Sequence, residues 1–345
     1  MAPGTADPGA AGLVPARVGM VGAGYVAERC HLPAAGGLEE IEVVIVVDTD
    51  LARAAAVAER FGVPAWTDDA RRIVGAVDGA IVGVPTALHA RVAADLLVRG
   101  VPVLVEKPLA LTVEEAVRLA EVSAGTGVPL QVGLMYRHAQ STRLVKRLID
   151  AGRLGRLTRF EVEYGARPGW TGPGGWSREQ AGGGVLMDIG PHMLDLLRWW
   201  LGAPVEVAYW DDRVDGIEAE CRIALVLDGP GGVVAGDVTL SRLRRLGIRA
   251  RLEGEAFTLE WRNVDLRFEV ALQPTGVPET AADAFVADFR GGDTFRRMFA
   301  EQLRAFGQVV RGQGRPPVGA DDGIAGLALI ERCYALRRPL ERPWA

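Results

Sequence analysis

Cysteine is scarce in this chain. Its 345 residues hold three, Cys30, Cys221 and Cys333, far apart and in no CxxC or other metal-ligand spacing. That usage predicts neither a disulfide framework nor a metal site, and it fits a reducing, cytoplasmic setting. Long apolar runs are missing too. The longest candidates, Ile41 to Val47 and Ile81 to Val84, have the length of buried strands and fall far short of a membrane span. No extended basic run accompanies the net charge of -5, so nucleic acid is not an expected partner. Gly-x-Ser-x-Gly, HExxH and Walker-type lysine patterns do not occur, which leaves hydrolase and nucleoside-triphosphatase mechanisms without a carrier. Residues 1–16 are rich in Ala, Gly and Pro and lack both a basic start and an apolar stretch. They read as a disordered tail and not as a secretion signal.

What is present is the composition of a globular protein, 49% hydrophobic and 24% charged, at a length that favours two domains. The first third alternates strand and helix patterns. Val18 to Val21, Ile41 to Val47, Ala80 to Val84, Val101 to Val105 and Leu130 to Leu134 read as strands. Leu51 to Phe61, Ala87 to Arg99 and Val113 to Ala124 read as helices, closed by Gly62, Gly100 and Gly125. Strands nearly free of polar residues, separated by helices, imply a parallel sheet covered on both faces. A doubly wound α/β domain is therefore expected over residues 17–137. The pattern then changes. Ser141 to Ala151 and Val185 to Leu201 read as helices, Leu157 to Gly165 as a half-buried strand, and Thr294 to Val310 and Gly323 to Leu336 as closing helices. Between 205 and 270, strand-like runs follow one another across short turns such as Asp228 to Gly232, as in an antiparallel sheet. Residues 138–345 are thus expected to form a second, α+β domain. The stretch Arg167 to Gly184, dense in Gly, Pro and Trp, has no regular period.

The chain is organised around Val18 to Ala27, where an apolar run leads directly into Gly22-Ala-Gly24-Tyr25-Val26-Ala27 and a helix-forming segment. Strand, glycine turn and helix in that order make a dinucleotide-binding turn. Gly22 allows the tight turn, Gly24 lets backbone approach a pyrophosphate, and Ala27 is small enough for helix and strand to lie close. Asp48 closes the second strand, where an acid accepts hydrogen bonds from the adenosine ribose and repels a 2'-phosphate, so NAD is expected over NADP. Glu106-Lys107-Pro108 follows a strand at the edge where such sheets bind ligands. The Lys107 ammonium can stabilise charge on a substrate oxygen, and Pro108 restricts its backbone. In Gly182-Gly-Gly-Val-Leu-Met-Asp188-Ile-Gly-Pro-His192-Met-Leu-Asp195, Pro191 is best tolerated in a first turn, which puts the helix start near Asp188 or Gly190. Asp188 and His192, four apart, then share a face, and the positive helix end favours the neutral imidazole that a base requires. Each of these also has a plainer reading: a strand-end acid, a solvated Glu-Lys pair, a carboxylate capping helix amides. His89, after Pro85-Thr86, is placed to line the cofactor crevice. Arg137 and His138 at the domain junction and Trp176 in the glycine-rich stretch are candidates for substrate contact, and His31 is expected to pack.

Taken together, Val21 to Ala27, Val84-Pro-Thr-Ala-Leu-His-Ala90, Val105-Glu-Lys-Pro108, Gly182 to Asp195 and Asp322 to Ile330 resemble the glucose-fructose oxidoreductase, inositol dehydrogenase and rhizopine catabolism (Gfo/Idh/MocA) family. The resemblance implies an N-terminal Rossmann domain and a C-terminal domain with an open, mainly antiparallel sheet that commonly joins copies into a homodimer or homotetramer. It implies that the Gly22 turn, Asp48, Pro85, Thr86, His89, Glu106 and Lys107 contact the cofactor. Lys107 would bond the reacting oxygen or the nicotinamide ribose, with the bond before Pro108 often cis. His192 would be the general acid/base, and Asp188 would position it or the substrate. The implied activity is NAD(P)-dependent hydride transfer to or from a secondary alcohol or ketone of a sugar, cyclitol or nucleotide-sugar-like molecule. Two other readings are a redox cycle with tightly held NAD, as in some glycoside-hydrolysing relatives, and a cofactor-sensing regulator. The acid/base set argues against the last.

Overall fold

A computed structural model of the chain describes residues 14–165, 183–213, 217–276, 285–287, 289 and 292–341. Most of the expected tail and most of the Gly/Trp-rich stretch, including Trp176, lie outside the described residues.

The first half builds a six-stranded sheet from β1 (Ala16–Val21), β2 (Ile41–Val47), β3 (Ala65–Thr67), β4 (Gly79–Val82), β5 (Val103–Glu106) and β6 (Leu130–Gly133). Every pairing is parallel and the order is β3-β2-β1-β4-β5-β6. The order reverses between β1 and β4, and that reversal opens a crevice at the strands' carboxyl ends, where ligands bind in such sheets. The helices α2 (Leu51–Phe61), α3 (Thr86–Leu97) and α4 (Val113–Thr126) connect the strands. Local chemistry fixes their ends: Asp50 and Thr112 cap the first turns of α2 and α4, and Gly62 and Gly127 close them in the left-handed region. The three-residue β3 is a finding, since so short a strand carries too little alternation to be read from sequence.

The second half builds a nine-stranded sheet, with α5 (Gln140–Asp150) and α6 (Val185–Leu201) packed against it. Its strands are β7 (Leu157–Gly165), β8 (Ala203–Asp211), β9 (Glu220–Gly229), β10 (Gly232–Ser241), β11 (Gly247–Gly254), β12 (Phe257–Val264), β13 (Arg267–Pro274), β14 (Phe285–Ala287) and β15 (Arg337–Pro339). The order is β14-β13-β12-β11-β7-β10-β9-β8-β15. The sheet is mainly antiparallel, but β7 runs parallel to β10, and β15 parallel to β8. Turn signals fix only neighbours in sequence, and β7 is inserted between β10 and β11 from far upstream. The last two helices, α7 (Phe295–Val310) and α8 (Ala320–Ala335), return to the first sheet. Gly79 of β4 leaves room for Phe306 and Val310, Arg304 pairs with Glu40 at 2.6 Å, and the Val132 amide donates to the Val318 carbonyl at 3.0 Å. Residues 138–345 are therefore not confined to the second sheet.

At the junction, a 3-10 turn (Met135–His138) inserts Tyr136 into an aromatic cluster. Its ring meets His192, Trp261, Phe268 and Phe295 edge-on, with centroids 5.0 to 6.0 Å apart, and Trp261 stacks on Phe268 at 4.7 Å. These rings are rigid and large, so they lock the helix carrying His192 against the end of β6. Among the described residues no helix is long and apolar enough to cross a membrane, and no group of three or more His, Cys, Asp or Glu side chains is arranged to hold a metal ion.

Candidate active site

The site lies along the carboxyl edge of the six-stranded sheet. Gly22 has φ +100°, and a Cβ there would come within 2.5 Å of the Gly83 carbonyl oxygen, so only glycine lets the loops after β1 and β4 touch. A Cβ on Gly24 would meet nothing within 4 Å, which leaves open space over the turn. Asp48, at the end of β2, accepts from the Ala23 amide at 2.9 Å and from the Asp50 amide at 2.9 Å, so its carboxylate is held beside the glycine turn. Arg53 lies 3.7 Å from it. Tyr25 is half exposed, Val26 packs on the core, Pro85 is exposed and Thr86 opens α3. An open glycine turn with an acid fixed beside it fits a nicotinamide dinucleotide.

The first helix starts as a π-helical turn (Ala27–His31), with the Leu32 amide reaching the Ala27 carbonyl, and continues as α1 (Leu32–Ala35). Pro33 offers no N–H to the Arg29 carbonyl, which is consistent with the widened ladder. The wide turn sends His31 inward. It is fully buried, its Nε2 lies 2.8 Å from Glu106 Oε1, and its ring meets Phe299 edge-on. The expectation of a packing histidine is thus only half the account.

Glu106 ends β5. Its Oε2 accepts from the Lys107 amide at 3.2 Å. Burial pushes the Glu106 carboxyl up, but the His31 bond and the Lys107 charge outweigh it and hold the group below the usual range. The Lys107–Pro108 bond is cis. Lys107 Nζ donates to the Asp188 carbonyl at 2.7 Å and to Asp188 Oδ1 at 3.1 Å. Burial pulls the ammonium down to about 8, with Glu106 opposing and Arg242 assisting. His89 lies between the Pro108 and Val84 carbonyls, 2.8 Å from Nδ1 and 2.9 Å from Nε2; burial holds its pKa down, and the neutral ring donates to one of the two.

Asp188 and His192 come from α6, and here the sequence expectation is corrected. The helix starts at Val185, so Pro191 lies inside it and His192 sits two turns in, not at the positive end. The cause is distant in sequence. The Val185 amide donates to the Glu218 carbonyl at 2.9 Å and the Leu186 amide to Glu218 Oε1 at 3.0 Å, while Tyr334 donates to the same oxygen at 2.8 Å. A Cβ on Gly184 would fall 2.0 Å from the Glu218 carbonyl, so glycine is required at that junction. Asp188 and His192 do share a face. The imidazole is kept neutral by burial first and by the Lys107 charge second, which hold its pKa well below the usual value. Its Nδ1 has no hydrogen-bond partner among the described residues.

Arg242, just past β10, was not legible as a site residue. Its guanidinium pairs with Asp188 Oδ2, so Asp188 stands between two cations. Two expected substrate contacts are placed elsewhere. Arg137 makes a fork to Asp195 at 2.8 and 2.6 Å, reaches Asp322 at 2.8 Å and lies over Trp199, tying β6, α6 and α8 together. His138 is fully buried with neither ring nitrogen bonded among the described residues, and burial with Arg143 and Arg137 nearby pushes it down to about 3.

Comparison with known proteins agrees with this fold. The model of the Gfo/Idh/MocA oxidoreductase family, NAD-binding Rossmann fold, matches residues 16–134, and that of the family's C-terminal domain matches residues 142–260. The rhizopine catabolism protein MocA of Rhizobium meliloti is 32% identical over 333 residues, 93% of this chain and 94% of that one. The D-glucoside 3-dehydrogenase of Escherichia coli is 33% identical over 193 residues, and the chain spans 55% of its length. The fold is shared with a levoglucosan dehydrogenase solved with NADH and levoglucosan, at TM-score 0.82 and 19% identity, over 93% of this chain and 96% of that one.

Proposed function

Because the chain belongs to the Gfo/Idh/MocA family of oxidoreductases, we propose that it transfers a hydride between a nicotinamide cofactor and a secondary alcohol or ketone of a sugar, cyclitol or nucleotide-sugar-like substrate. One observation carries the reading. Lys107 from the edge of the parallel sheet is hydrogen-bonded to Asp188, and His192 stands one turn further along the same helix. The Gly22-to-Ala27 turn and Asp48 would hold the cofactor, which when bound supplies the hydride acceptor or donor.

In alcohol oxidation the neutral His192 takes the hydroxyl proton. Lys107 donates to the same oxygen and stabilises the charge that grows on it. Asp188 fixes the ammonium through its carbonyl and one carboxylate oxygen, while Arg242 occupies the other. Reduction runs the same proton movements backwards. The open face of the nine-stranded sheet would join copies into a dimer or tetramer.

The proton roles set a pH profile. His192 must be neutral and Lys107 charged, so kcat/KM for oxidation should stay level through neutrality and fall as pH rises past about 8. On the acid side the rate should hold below the usual histidine range, because the His192 pKa is depressed. A rate that climbs steadily well past pH 8 would exclude the ammonium as a needed donor.

NAD is the preferred cofactor in this reading, because Asp48 meets the ribose diol and repels a 2'-phosphate. Asp48→Ala also frees the Ala23 amide, which weakens both cofactors alike. The NAD-to-NADP ratio of kcat/KM isolates the ribose contact and should narrow about tenfold or more, the worth of one hydrogen bond to a charged group. An unchanged ratio counts against the contact. Steady-state assays of the purified protein with each cofactor, against a panel of sugars, inositols and nucleotide-sugar ketones, test the proposal as a whole. Absence of turnover on every class would reject it.

A further inference from the structure

We infer that His31 is a positioning residue for Lys107: it holds Glu106 as a fixed negative charge behind the ammonium, and so links the nucleotide-binding helix to the reacting oxygen. The inference rests on the proposed role of Lys107. Its geometry is a continuous chain, buried at His31 and Glu106 and partly buried at Lys107 and Asp188. His31 Nε2 lies 2.8 Å from Glu106 Oε1, Glu106 Oε2 takes the Lys107 amide at 3.2 Å, and Lys107 Nζ reaches Asp188. Both Glu106 oxygens are thus engaged away from Nζ. The carboxylate cannot easily swing toward it, because Glu106 is packed against Gly133, where a Cβ would already sit 3.2 Å from Oε1. His31 is itself locked by Phe299 of α7.

A buried carboxylate without a donor takes up a proton instead of remaining charged. Removing the imidazole leaves only the Lys107 amide on Glu106, at Oε2, so burial shifts the carboxyl toward its neutral form. The ammonium keeps Asp188 at 3.1 Å but loses the negative charge of Glu106, while Arg242 still repels it. The charged or titratable groups facing Lys107 are Glu106, Cys30, His89, Asp188, His192 and Arg242, and of these His31 bonds to Glu106 alone. The sign is therefore fixed: without His31, Lys107 gives up its proton at lower pH.

The chain offers a direct readout, because Lys107 and Lys146 are its only two lysines. Lys146 pairs with Asp150 on the surface of α5 and serves as an internal standard. Lysine labelled with carbon-13 at the ε position gives one signal for each, and the Lys107→Met variant assigns them. In the wild type the Lys107 signal should titrate near 8. In His31→Leu its midpoint should fall by about one pH unit or more, the effect of losing a nearby opposite charge, and Lys146 should not move. Glu106→Gln should give the same fall, and the double variant no further change. His31→Gln, which keeps a donor at the Nε2 position, should restore the wild-type midpoint. A Lys107 midpoint that is unchanged or raised in His31→Leu or in Glu106→Gln overturns the inference. If His31→Leu does not fold, His31→Phe, which fills the same space without a donor, takes its place and should give the same fall; an unchanged midpoint there overturns the inference. The measurement needs no substrate, so absence of turnover with the midpoint shift intact would reject the proposed reaction and leave the His31 linkage standing.

Discussion

Replacing His192 with glutamine should lower kcat/KM for hydride transfer by about a hundred- to ten-thousand-fold, the range for removal of a general acid/base. Glutamine has similar length and keeps hydrogen-bonding capacity, but it cannot take up the proton. The residue sits in a wall of α6 and touches Tyr136 edge-on, so some packing is lost as well. That contact is worth about 0.5 to 1.5 kcal/mol and should appear as a small drop in Tm, separable from the rate. Cofactor affinity, measured by fluorescence titration, should change little, since the glycine turn and Asp48 belong to the first sheet and His192 to α6. The acid limb of the pH profile should disappear with the imidazole. Turnover close to wild type would show that another group moves the proton, and His192 would then be only part of the interdomain wall.

Lys107→Met should reduce kcat by about a hundred- to a thousand-fold, as for loss of a preorganised donor to a developing oxyanion. Methionine fills the same stem and removes only the ammonium. Its two acceptors, the carbonyl and Oδ1 of Asp188, lose their donor, while Arg242 still holds Oδ2. The folded state should weaken by about 1 to 3 kcal/mol, the penalty for leaving a buried acceptor unpaired. The alkaline limb of the pH profile should vanish, because the group that titrates near 8 is gone. NAD binding that persists together with lost turnover separates a role at the reacting oxygen from a role in holding the cofactor. Undiminished turnover would remove Lys107 from the reaction.

Much of the site's chemistry was legible because it depends on short segments. The Gly22 turn, Asp48 and the Glu106-Lys107 pair each follow a strand whose apolar run is visible in the chain. A parallel doubly wound sheet brings all such strand ends to one edge. Asp188 and His192 needed only their spacing of four to be placed on one face. The start of their helix was not legible. Pro191 argued locally for a start near Asp188, yet Glu218 supplies acceptors to the Val185 and Leu186 amides from another element and extends the helix back by a turn. With that shift, the helix dipole ceases to be the reason for a neutral His192, and burial beside Lys107 takes its place.

The sequence by itself determined which residue types stand at the ends of the strands, because strand and helix periods, glycine turns and proline restrictions are local and act within a few residues. Only the tertiary structure decided what those residues touch. It turned His31 from the wall of a helix into the partner of Glu106, committed Arg137 to Asp195 and Asp322, brought Arg242 to Asp188, and ran β7 alongside β10 in parallel. The physical reason is the same in each case. A buried charge or an unpaired amide must find its partner wherever the fold places one, and that partner's distance along the chain leaves no trace in the local pattern.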